Sequence, residues 1–295
     1  MVLAGRTPRQ ETVMDEHDGT PGPAPAGPGS GPDAGGYLLT DVDGGAADRL
    51  AAMAEIFDPV TFRHLDATGV GPGWRCWEVG AGSTSVVAWL ARTVGPGGRV
   101  VATDIDVSLL EPAAGPTIEV LRHDVAADRP PDGPFDLVHA RLVLVHVPDR
   151  RRALDAMVGA LRPGGWLVVE DADPALQPLS CPDVRGPDEE LANRVRAAFR
   201  TLLAGRGASL DYGRTLPRSL RAAGLVDVGA EGWFPLAHRR AADLERATVA
   251  MLRTQLTAAG LLDDAEIDRH LATVASGRLD LAQPPLITAW GRRPV

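Results

Sequence analysis

Lysine is absent from this chain. All 30 basic residues are arginine, and 39 acidic residues outweigh them to give a net charge of −9 at pH 7. A protein that binds nucleic acid needs clustered positive charge to contact the phosphates. The acidic balance therefore argues against nucleic acid as a partner.

Cysteine and long apolar runs are also scarce. Cys76 and Cys181 are the only cysteines; two are too few for a disulfide framework, and neither has a histidine pair at ligand spacing nearby. No stretch approaches the ~20 apolar residues of a membrane-spanning helix, and residues 1–19 lack the apolar core of a secretory signal. We expect a cytoplasmic protein with no metal site and no membrane segment.

Glycine and proline, in contrast, are abundant, and part of the excess is concentrated near the N terminus. Residues 19–36 contain seven glycines and five prolines. A segment of this composition buries too little apolar surface to offset the entropy lost on ordering. We predict that residues 1–36 form a disordered tail and that residues 37–295 form the folded domain.

From residue 37 onward, the apolar periodicity predicts helices that alternate with short strands. This alternation is typical of a parallel α/β sheet with right-handed crossovers. The predicted helices span residues 46–57, 86–94, 150–162, 187–204, 216–224, 240–258 and 263–275, with a second short helix around Phe62 and Leu65. The predicted strands span residues 74–79, 99–103, 118–122, 135–140, 166–170, 225–236 and 284–293.

Ligands of such sheets bind outside the carboxyl ends of the strands. The residues at those ends are Glu78–Ser85, Asp104, Asp124, Ala140–Arg141 and Glu170–Asp171. The first group, EVGAGSTS, runs from a strand through Gly80-Ala81-Gly82 into a helix, where glycine permits a tight turn and close approach of a ligand. It departs from the dinucleotide pattern GxGxxG because Ser85 occupies the sixth position.

Five strings at and after these strands together resemble a known family. The strings EVGAGSTS (78–85), VVATDID (100–106), RHDVAAD (122–128), FDLVHARLVLVHVPD (135–149) and LRPGGWLVVED (161–171) together resemble the class I S-adenosylmethionine (SAM) dependent methyltransferases of the bacterial small-molecule type. The resemblance implies a Rossmann-like, seven-stranded sheet, mostly parallel with an antiparallel last strand. It also implies a helical cap from residues 37–70, 172–212 and 237–280.

The resemblance also implies a set of cofactor contacts. Glu78, Gly80 and Gly82 surround the methionine part of SAM, together with Ala81 and Ser85 of the same turn. Asp104 holds the ribose and Ile105 packs on the adenine, while Asp124 and Val125 contact the adenine edge. The remaining contacts are the carbonyl of Ala140, with Arg141 beside it, and Tyr37 as a lid over the cofactor.

One departure concerns Ser83-Thr84, because members of the family usually carry glycine there. Thr84 is β-branched and tolerates a positive φ poorly. Either the turn differs locally, or SAM binding is weakened.

Methyl transfer from a sulfonium mainly requires in-line positioning, and a hydroxyl acceptor also requires a general base. His146, in the segment after the fourth strand, and Asp171, after the fifth, are the candidate catalytic residues. His146 has an alternative role as a structural histidine, and Asp171 as a helix cap or loop anchor. His139 lies within a strand, and we expect it to serve in packing.

These observations predict an enzyme that transfers a methyl group from SAM to an oxygen or nitrogen atom of a small molecule, such as a natural product of secondary metabolism. Two alternatives remain: a SAM-binding enzyme that catalyses a rearrangement or cyclisation without methyl transfer, and an NAD-dependent oxidoreductase that uses the same turn with Asp104. A homodimer is one option for the oligomeric state.

Overall fold

The computed structural model describes residues 45–295. The predicted tail, residues 1–36, and Tyr37 lie outside this range. Within it, the helices are α1 (Ala46–Ala67), α2 (Thr84–Val94), α3 (Arg150–Ala160), α4 (Pro187–Gly205), α5 (Leu216–Ala222), α6 (Ala241–Ala258) and α7 (Asp264–Ala275). The strands are β1 (Arg75–Val79), β2 (Arg99–Asp104), β3 (Ile118–Arg122), β4 (Phe135–Arg141), β5 (Leu161–Ala172), β6 (Val226–Trp233) and β7 (Leu286–Arg292).

The strands form one seven-stranded sheet in the order β3-β2-β1-β4-β5-β7-β6. Pairing is parallel from β3 through β5, and β7 runs antiparallel to both of its neighbours, β5 and β6. This topology confirms the predicted fold class. The order reverses between β1 and β4, and at such a reversal a crevice forms outside the carboxyl ends of the strands.

The first helix differs from its prediction. The sequence suggested a helix over 46–57 and a separate short one, whereas α1 continues through Pro59 to Ala67. Proline in a helix interior removes one backbone hydrogen bond. Apolar residues on both sides of it, including Phe57 and Val60, are buried against the rest of the protein. Tertiary packing of that face sustains the helix across the break.

Strand β5 is longer than predicted. The Pro163-Gly164-Gly165 segment was expected to follow a helix ending at 162 and to precede a strand at 166, but α3 ends at Ala160 and β5 begins at Leu161. The Gly164 N–H donates to the carbonyl of Arg293 at 2.8 Å, so the segment is held against the end of β7. Asp149 caps α3, because its side chain accepts a hydrogen bond from the Arg152 N–H at 3.0 Å.

The two faces of the sheet carry different chemistry. One face packs apolar residues such as Trp77, Val138 and Leu167 against α3 and α5. On the other face, cross-strand register places Glu78 beside His139, and Glu170 beside Arg141 and Thr288. Helix α1 covers this polar row, and Thr61 from α1 bonds to Glu170.

Helices α4, α6 and α7 pack on one another through a separate apolar cluster. Leu191 and Val195 of α4 contact Val249 and Leu252 of α6, and Ile267 of α7 completes the cluster. Residues of α4 and α6 thereby stand over the carboxyl edge of the sheet, where they form one wall of the cavity described next.

Candidate active site

A cavity of about 520 Å³ lies at the carboxyl edge of the sheet. Its floor is made by the segments that follow β1, β2, β3 and β4, and its walls by α1, α4 and α6. Of the predicted cofactor residues, those that line it are Gly80, Ala81, Gly82, Asp104, Ile105, Asp124, Val125 and Arg141. The fold thus brings together residues that are as far as 61 positions apart in the chain.

The glycine turn after β1 has the conformation that only glycine adopts readily. Gly80 and Gly82 have φ values of 59° and 58°, and a Cβ on Gly80 would overlap Val143 Cγ2. Ser83, in contrast, is extended, with φ −141°, and Thr84 begins α2. The expected difficulty at Ser83-Thr84 does not arise, because the left-handed positions fall on the two glycines.

Asp104, at the end of β2, is fixed beside this turn. Its Oδ2 accepts a hydrogen bond from the Gly82 N–H at 2.8 Å, and its Oδ1 accepts one from the Asp106 N–H at 3.1 Å. Burial raises the pKa of the carboxyl, and these backbone donors oppose the rise. A carboxylate oxygen has two lone pairs, so both oxygens can accept a further bond, which is what two ribose hydroxyls require.

The next two loops present an apolar surface with a carboxylate at its border. Ile105 is 49% exposed, an unusual position for a large aliphatic side chain, and Val125 lies across the same cavity. Asp124 is exposed, and its Oδ1 accepts a hydrogen bond from the Ala126 N–H at 2.8 Å, which holds the loop. A planar nucleobase with an amino group at its edge fits this pairing of an apolar surface with a carboxylate at the border.

Arg141, which also lines the cavity, is tied to α1. Its Nη1 donates to Asp58 Oδ1 and to Thr61 Oγ1, both at 2.9 Å. The Ser85 side chain faces the same carboxylate, with its Oγ 3.4 Å from Asp58 Oδ1. Ser85 is therefore directed toward α1 and does not line the cavity, contrary to its predicted role.

Glu78 does not line the cavity either. It is 2% exposed, and its Oε2 lies 2.7 Å from His139 Nδ1. His139 Nε2 lies 3.6 Å from Glu170 Oε2, and Glu170 also accepts hydrogen bonds from Thr61 at 2.5 Å and Thr288 at 2.8 Å. His139 and Glu170 are fully buried. Glu78 is thus one end of a polar row beneath the site.

The charge of this row follows from its geometry. Burial alone would lower the pKa of His139, but the Glu78 charge, the nearby Glu170 carboxylate and the hydrogen bond with Glu78 outweigh it and raise the pKa to about 9. Burial acts in the opposite sense on Glu170, whose pKa is nevertheless held well below its usual range by His139 and His64. At neutral pH, His139 is therefore a cation between two carboxylates. Its role exceeds the packing that the sequence suggested.

The two candidate catalytic residues are in different environments. His146 lines the cavity. Burial, together with the charges of Arg49 and Arg150, lowers the pKa of His146 to about 4. Its imidazole is therefore neutral at pH 7 and a weak base, since the best general base has a pKa near the working pH. His146 is better suited to contact a substrate than to remove its proton.

Asp171 was expected to point into the pocket, and this expectation is wrong. Side chains alternate along β5, so Asp171 points to the face opposite Glu170 and is fully buried there, away from the cavity lining. Burial raises the pKa of Asp171 to about 8, despite the opposing N–H groups of Val145 and Leu144 and the charge of Arg150. Ala140 is likewise fully buried and outside the cavity lining.

The resemblance implied a helical cap that includes residues 37–70, but it did not identify the residues of α1 that line the cavity. The residues on one face of this helix, Ala46, Arg49, Leu50, Met53 and Phe57, all line the site. Their helical spacing was visible in the sequence and predicted the helix. The spacing alone could not show that this apolar face covers a ligand cavity as well as a core.

Neither a metal centre nor a membrane span is found in the part of the chain that the structure describes. No cluster of three or more His, Cys, Asp or Glu side chains among residues 45–295 has the geometry to hold a metal ion. None of the helices in this range combines the length and the apolar character needed to cross a membrane.

The sheet order, the antiparallel last strand and the glycine turn with its following acidic residue agree with the fold that the resemblance to class I SAM-dependent methyltransferases implied. Residues 77–169 match the family model described as a methyltransferase domain. The chain therefore contains a domain of this family, for which SAM is the cofactor, as the resemblance implied.

The comparisons with known proteins agree on this domain. The ubiquinone/menaquinone biosynthesis C-methyltransferase UbiE of Vibrio parahaemolyticus is 35% identical over 129 residues, which is 39% of this chain and 48% of that enzyme. The corresponding enzyme of Hahella chejuensis is 32% identical over 123 residues, with 39% and 49% covered. The chain thus spans about half the length of the curated relatives it matches.

A solved structure extends the likeness to the fold as a whole. A candidate methyltransferase from an antibiotic biosynthesis pathway of Anabaena variabilis has a TM-score of 0.53 and 15% identity. The match covers 78% of this chain and 96% of that one. At this level of identity, the likeness concerns the fold alone.

Proposed function

We propose that this chain transfers a methyl group from SAM to a small molecule held in the same cavity. The observation that carries the proposal is the composition of that cavity. One part presents the glycine turn, Asp104 and Asp124, and the other part is walled by apolar residues of α4 and α6. A cofactor and an apolar acceptor can therefore lie side by side in one enclosed space.

The cofactor residues are those that line the cavity. In this proposal, Gly80–Gly82 allow the backbone to approach the methionine part, Asp104 accepts hydrogen bonds from the ribose, and Ile105 with Val125 packs on the adenine. Asp124 lies at the adenine edge, and Arg141 borders the methionine end. Glu78 acts indirectly, because its carboxylate is bonded to His139 and supports the turn from below.

SAM, when bound, supplies a methyl group on a positively charged sulfur, which is already activated for displacement. The protein then has to exclude water and align the acceptor with the methyl group. Such positioning can lower a barrier by ~7–11 kcal/mol. Helices α1, α4 and α6 cover the cavity and perform the exclusion, while neutral His146 in its wall can hold the acceptor by a hydrogen bond.

The acceptor atom is proposed to be oxygen or nitrogen of a natural product. The relatives named above are C-methyltransferases of quinone biosynthesis, so an aromatic carbon is the second candidate. His146 is a weak base and Asp171 is buried away from the cavity, so neither of the two predicted catalytic residues is suited to remove a proton from the acceptor. This favours an acceptor that needs little deprotonation. The cytoplasmic location and the homodimer stay predictions.

Two measurements test this function. Calorimetry should show binding of S-adenosylhomocysteine, and incubation with SAM and candidate acceptors should give a product heavier by one CH₂ in the mass spectrum. Asp104→Asn should weaken cofactor binding about tenfold or more, since it replaces a charged hydrogen-bond acceptor. Glu111→Gln, an exposed residue that does not line the cavity, removes the same charge and is the matched control.

The alternative functions predict different results. Binding of NAD without binding of S-adenosylhomocysteine would identify an oxidoreductase. A changed product of unchanged mass, formed while SAM is retained, would identify a non-methylating SAM enzyme. Absence of binding to S-adenosylhomocysteine would refute the proposal itself.

A further inference from the structure

The part of the cavity beneath α4 and α6 has a largely apolar wall that also contains a few polar side chains, among them Arg196, Gln283 and Glu245. Arg196 and Gln283 line this space and are only 4% and 5% exposed. Their apolar neighbours in the wall are Phe199, Leu203, Val249, Leu252 and Leu256. Neither polar residue belongs to the cofactor end described above.

Each of these side chains holds a donor without a partner. Arg196 Nη1 and Gln283 Nε2 are buried and make no hydrogen bond to any residue of the 45–295 segment. A buried donor left unsatisfied costs ~1–3 kcal/mol. Two such donors on one cavity wall therefore indicate a position that a ligand fills.

The two donors come from adjoining points of the fold. The other terminal nitrogen of Arg196, Nη2, donates to the backbone carbonyl of Ala282 at 3.2 Å, and Ala282 directly precedes Gln283. The Gln283 backbone N–H is held by the carbonyl of Pro235 at 2.9 Å. The Arg196 side chain and the Gln283 backbone are thus anchored next to each other, and a single oxygen with two lone pairs suits a pair of donors.

The charge around these donors is already balanced. Glu245 Oε2 lies 3.4 Å from Arg196 Nη2, and Glu245 Oε1 lies 3.0 Å from His270 Nε2. Glu245 is 6% exposed and lines the same cavity. An anionic ligand would therefore meet a carboxylate beside the guanidinium, whereas a neutral acceptor oxygen would satisfy the donors without that repulsion.

We propose that the molecule methylated by this chain is largely apolar and carries a neutral carbonyl oxygen, which accepts hydrogen bonds from Arg196 Nη1 and Gln283 Nε2. The inference rests on the proposed function, because it names the class of acceptor for that site. The carbonyl anchors one end of the substrate beneath α4 and α6, and the apolar body lies along the helical wall toward the cofactor end.

Three related probes test the inference in the presence of S-adenosylhomocysteine. α-Tetralone carries the carbonyl, tetralin lacks it, and tetralin carboxylate replaces it with an anion. The full chain should bind α-tetralone roughly tenfold or more tightly than tetralin, because only the ketone satisfies the buried donors. It should bind the carboxylate more weakly than the ketone.

Variants connect this preference to the two donors. Gln283→Leu should reduce the ketone-to-hydrocarbon ratio about tenfold, and Arg196→Lys should reduce it while keeping a cation beside Glu245. Gln255→Leu is the matched control, since Gln255 is a partly buried residue of α6 whose side-chain oxygen also lacks a partner but which does not line the cavity. It should leave the ratio unchanged.

Equal binding of ketone and hydrocarbon, tighter binding of the carboxylate, or no binding of the ketone up to its solubility would overturn the inference. An unchanged ratio in Gln283→Leu would do the same. These outcomes are distinguishable from failure of the proposed function, because they concern the probes alone. Failure of that function appears as absent binding of S-adenosylhomocysteine.

Discussion

The most direct test of the polar row beneath the site is the dependence of stability on pH. His139 lies between Glu78 and Glu170, with all three side chains almost fully buried. Although burial disfavours its charge, the Glu78 carboxylate, to which it is hydrogen-bonded, and the Glu170 carboxylate nearby raise the pKa of His139 to about 9, against 6.5 for a free histidine. The native protein therefore holds a proton that the unfolded chain releases at neutral pH.

The size of the effect follows from this difference. One pKa unit corresponds to about 1.4 kcal/mol, so the change from 6.5 to about 9 amounts to ~3 kcal/mol. Because the folded-state pKa is the higher one, the stabilisation is fully present below pH 6.5 and is lost as the pH rises through 9. The contribution of His139 to the free energy of unfolding should therefore fall by ~3 kcal/mol between pH 6.5 and pH 9.

Urea unfolding between pH 6 and pH 10 measures the change. His139→Gln removes the titrating group and leaves two buried carboxylates without their cation. We expect a loss of ~3–5 kcal/mol at pH 6 and a weaker pH dependence between 6.5 and 9. His238→Gln is the control, since His238 is only partly buried and lies just before α6, and its pH dependence should match that of the unmodified protein.

A second measurement covers the case in which His139→Gln does not fold. Titration of the His139 ring protons by NMR in the unmodified protein should give a midpoint near 9. A midpoint at or below 6.5, or an unchanged pH dependence in a folded His139→Gln variant, would show that the two glutamates do not hold the imidazole as a cation.

Further predictions concern the glycine turn and the second buried carboxyl. Gly80→Ala should abolish binding of S-adenosylhomocysteine in calorimetry, because its Cβ would overlap Val143. Gly95 also has a positive φ, with ψ −172°, but a Cβ there would have nothing within 4 Å. Gly95→Ala should therefore cost ~1–3 kcal/mol of stability and keep binding. If both variants bind equally, the close approach at the turn is not required. Asp171 has its pKa raised to about 8 by burial, so the stability it contributes is present at low pH and is lost as the pH rises to 8. Asp171→Asn should therefore be more stable than the unmodified protein in urea unfolding above pH 8, and equal or lower stability there would contradict the assignment.

Local sequence signals located most of the secondary structure correctly. The helices after 86, 150, 187, 216, 240 and 263 were placed to within a few residues, because their apolar periodicity and end signals are local properties of the chain. The errors occurred at Pro59 and at Pro163-Gly164-Gly165. There, the packing of α1, and the backbone hydrogen bonds of Gly164 and Gly165 with Arg293, outweighed the local tendency to stop a helix or a strand.

The candidate site was predictable where one loop carries the chemistry, and unpredictable where distant elements meet. Gly80, Asp104 and Asp124 follow strands directly, so the parallel sheet was enough to bring them to one edge. The partnership of Glu78 with His139 depends on the register between β1 and β4. The direction of Asp171 depends on the side-chain alternation of β5, in which a shift of one residue reverses the face.

The sequence by itself indicated the class of the domain and its cofactor, through the resemblance of its strings to a known family. It also located the strand ends proposed to bind that cofactor, because glycine turns and acidic residues after strands are local features of the chain. Only the tertiary structure decided which residues of α1 and α4 line the cavity, that His139 is buried between two glutamates, and that Arg196 and Gln283 lie in a largely apolar part of the cavity wall. Burial and the distance between charges depend on which surfaces the folded chain brings together, and these set the pKa values and the unsatisfied donors from which the chemistry of the site is inferred.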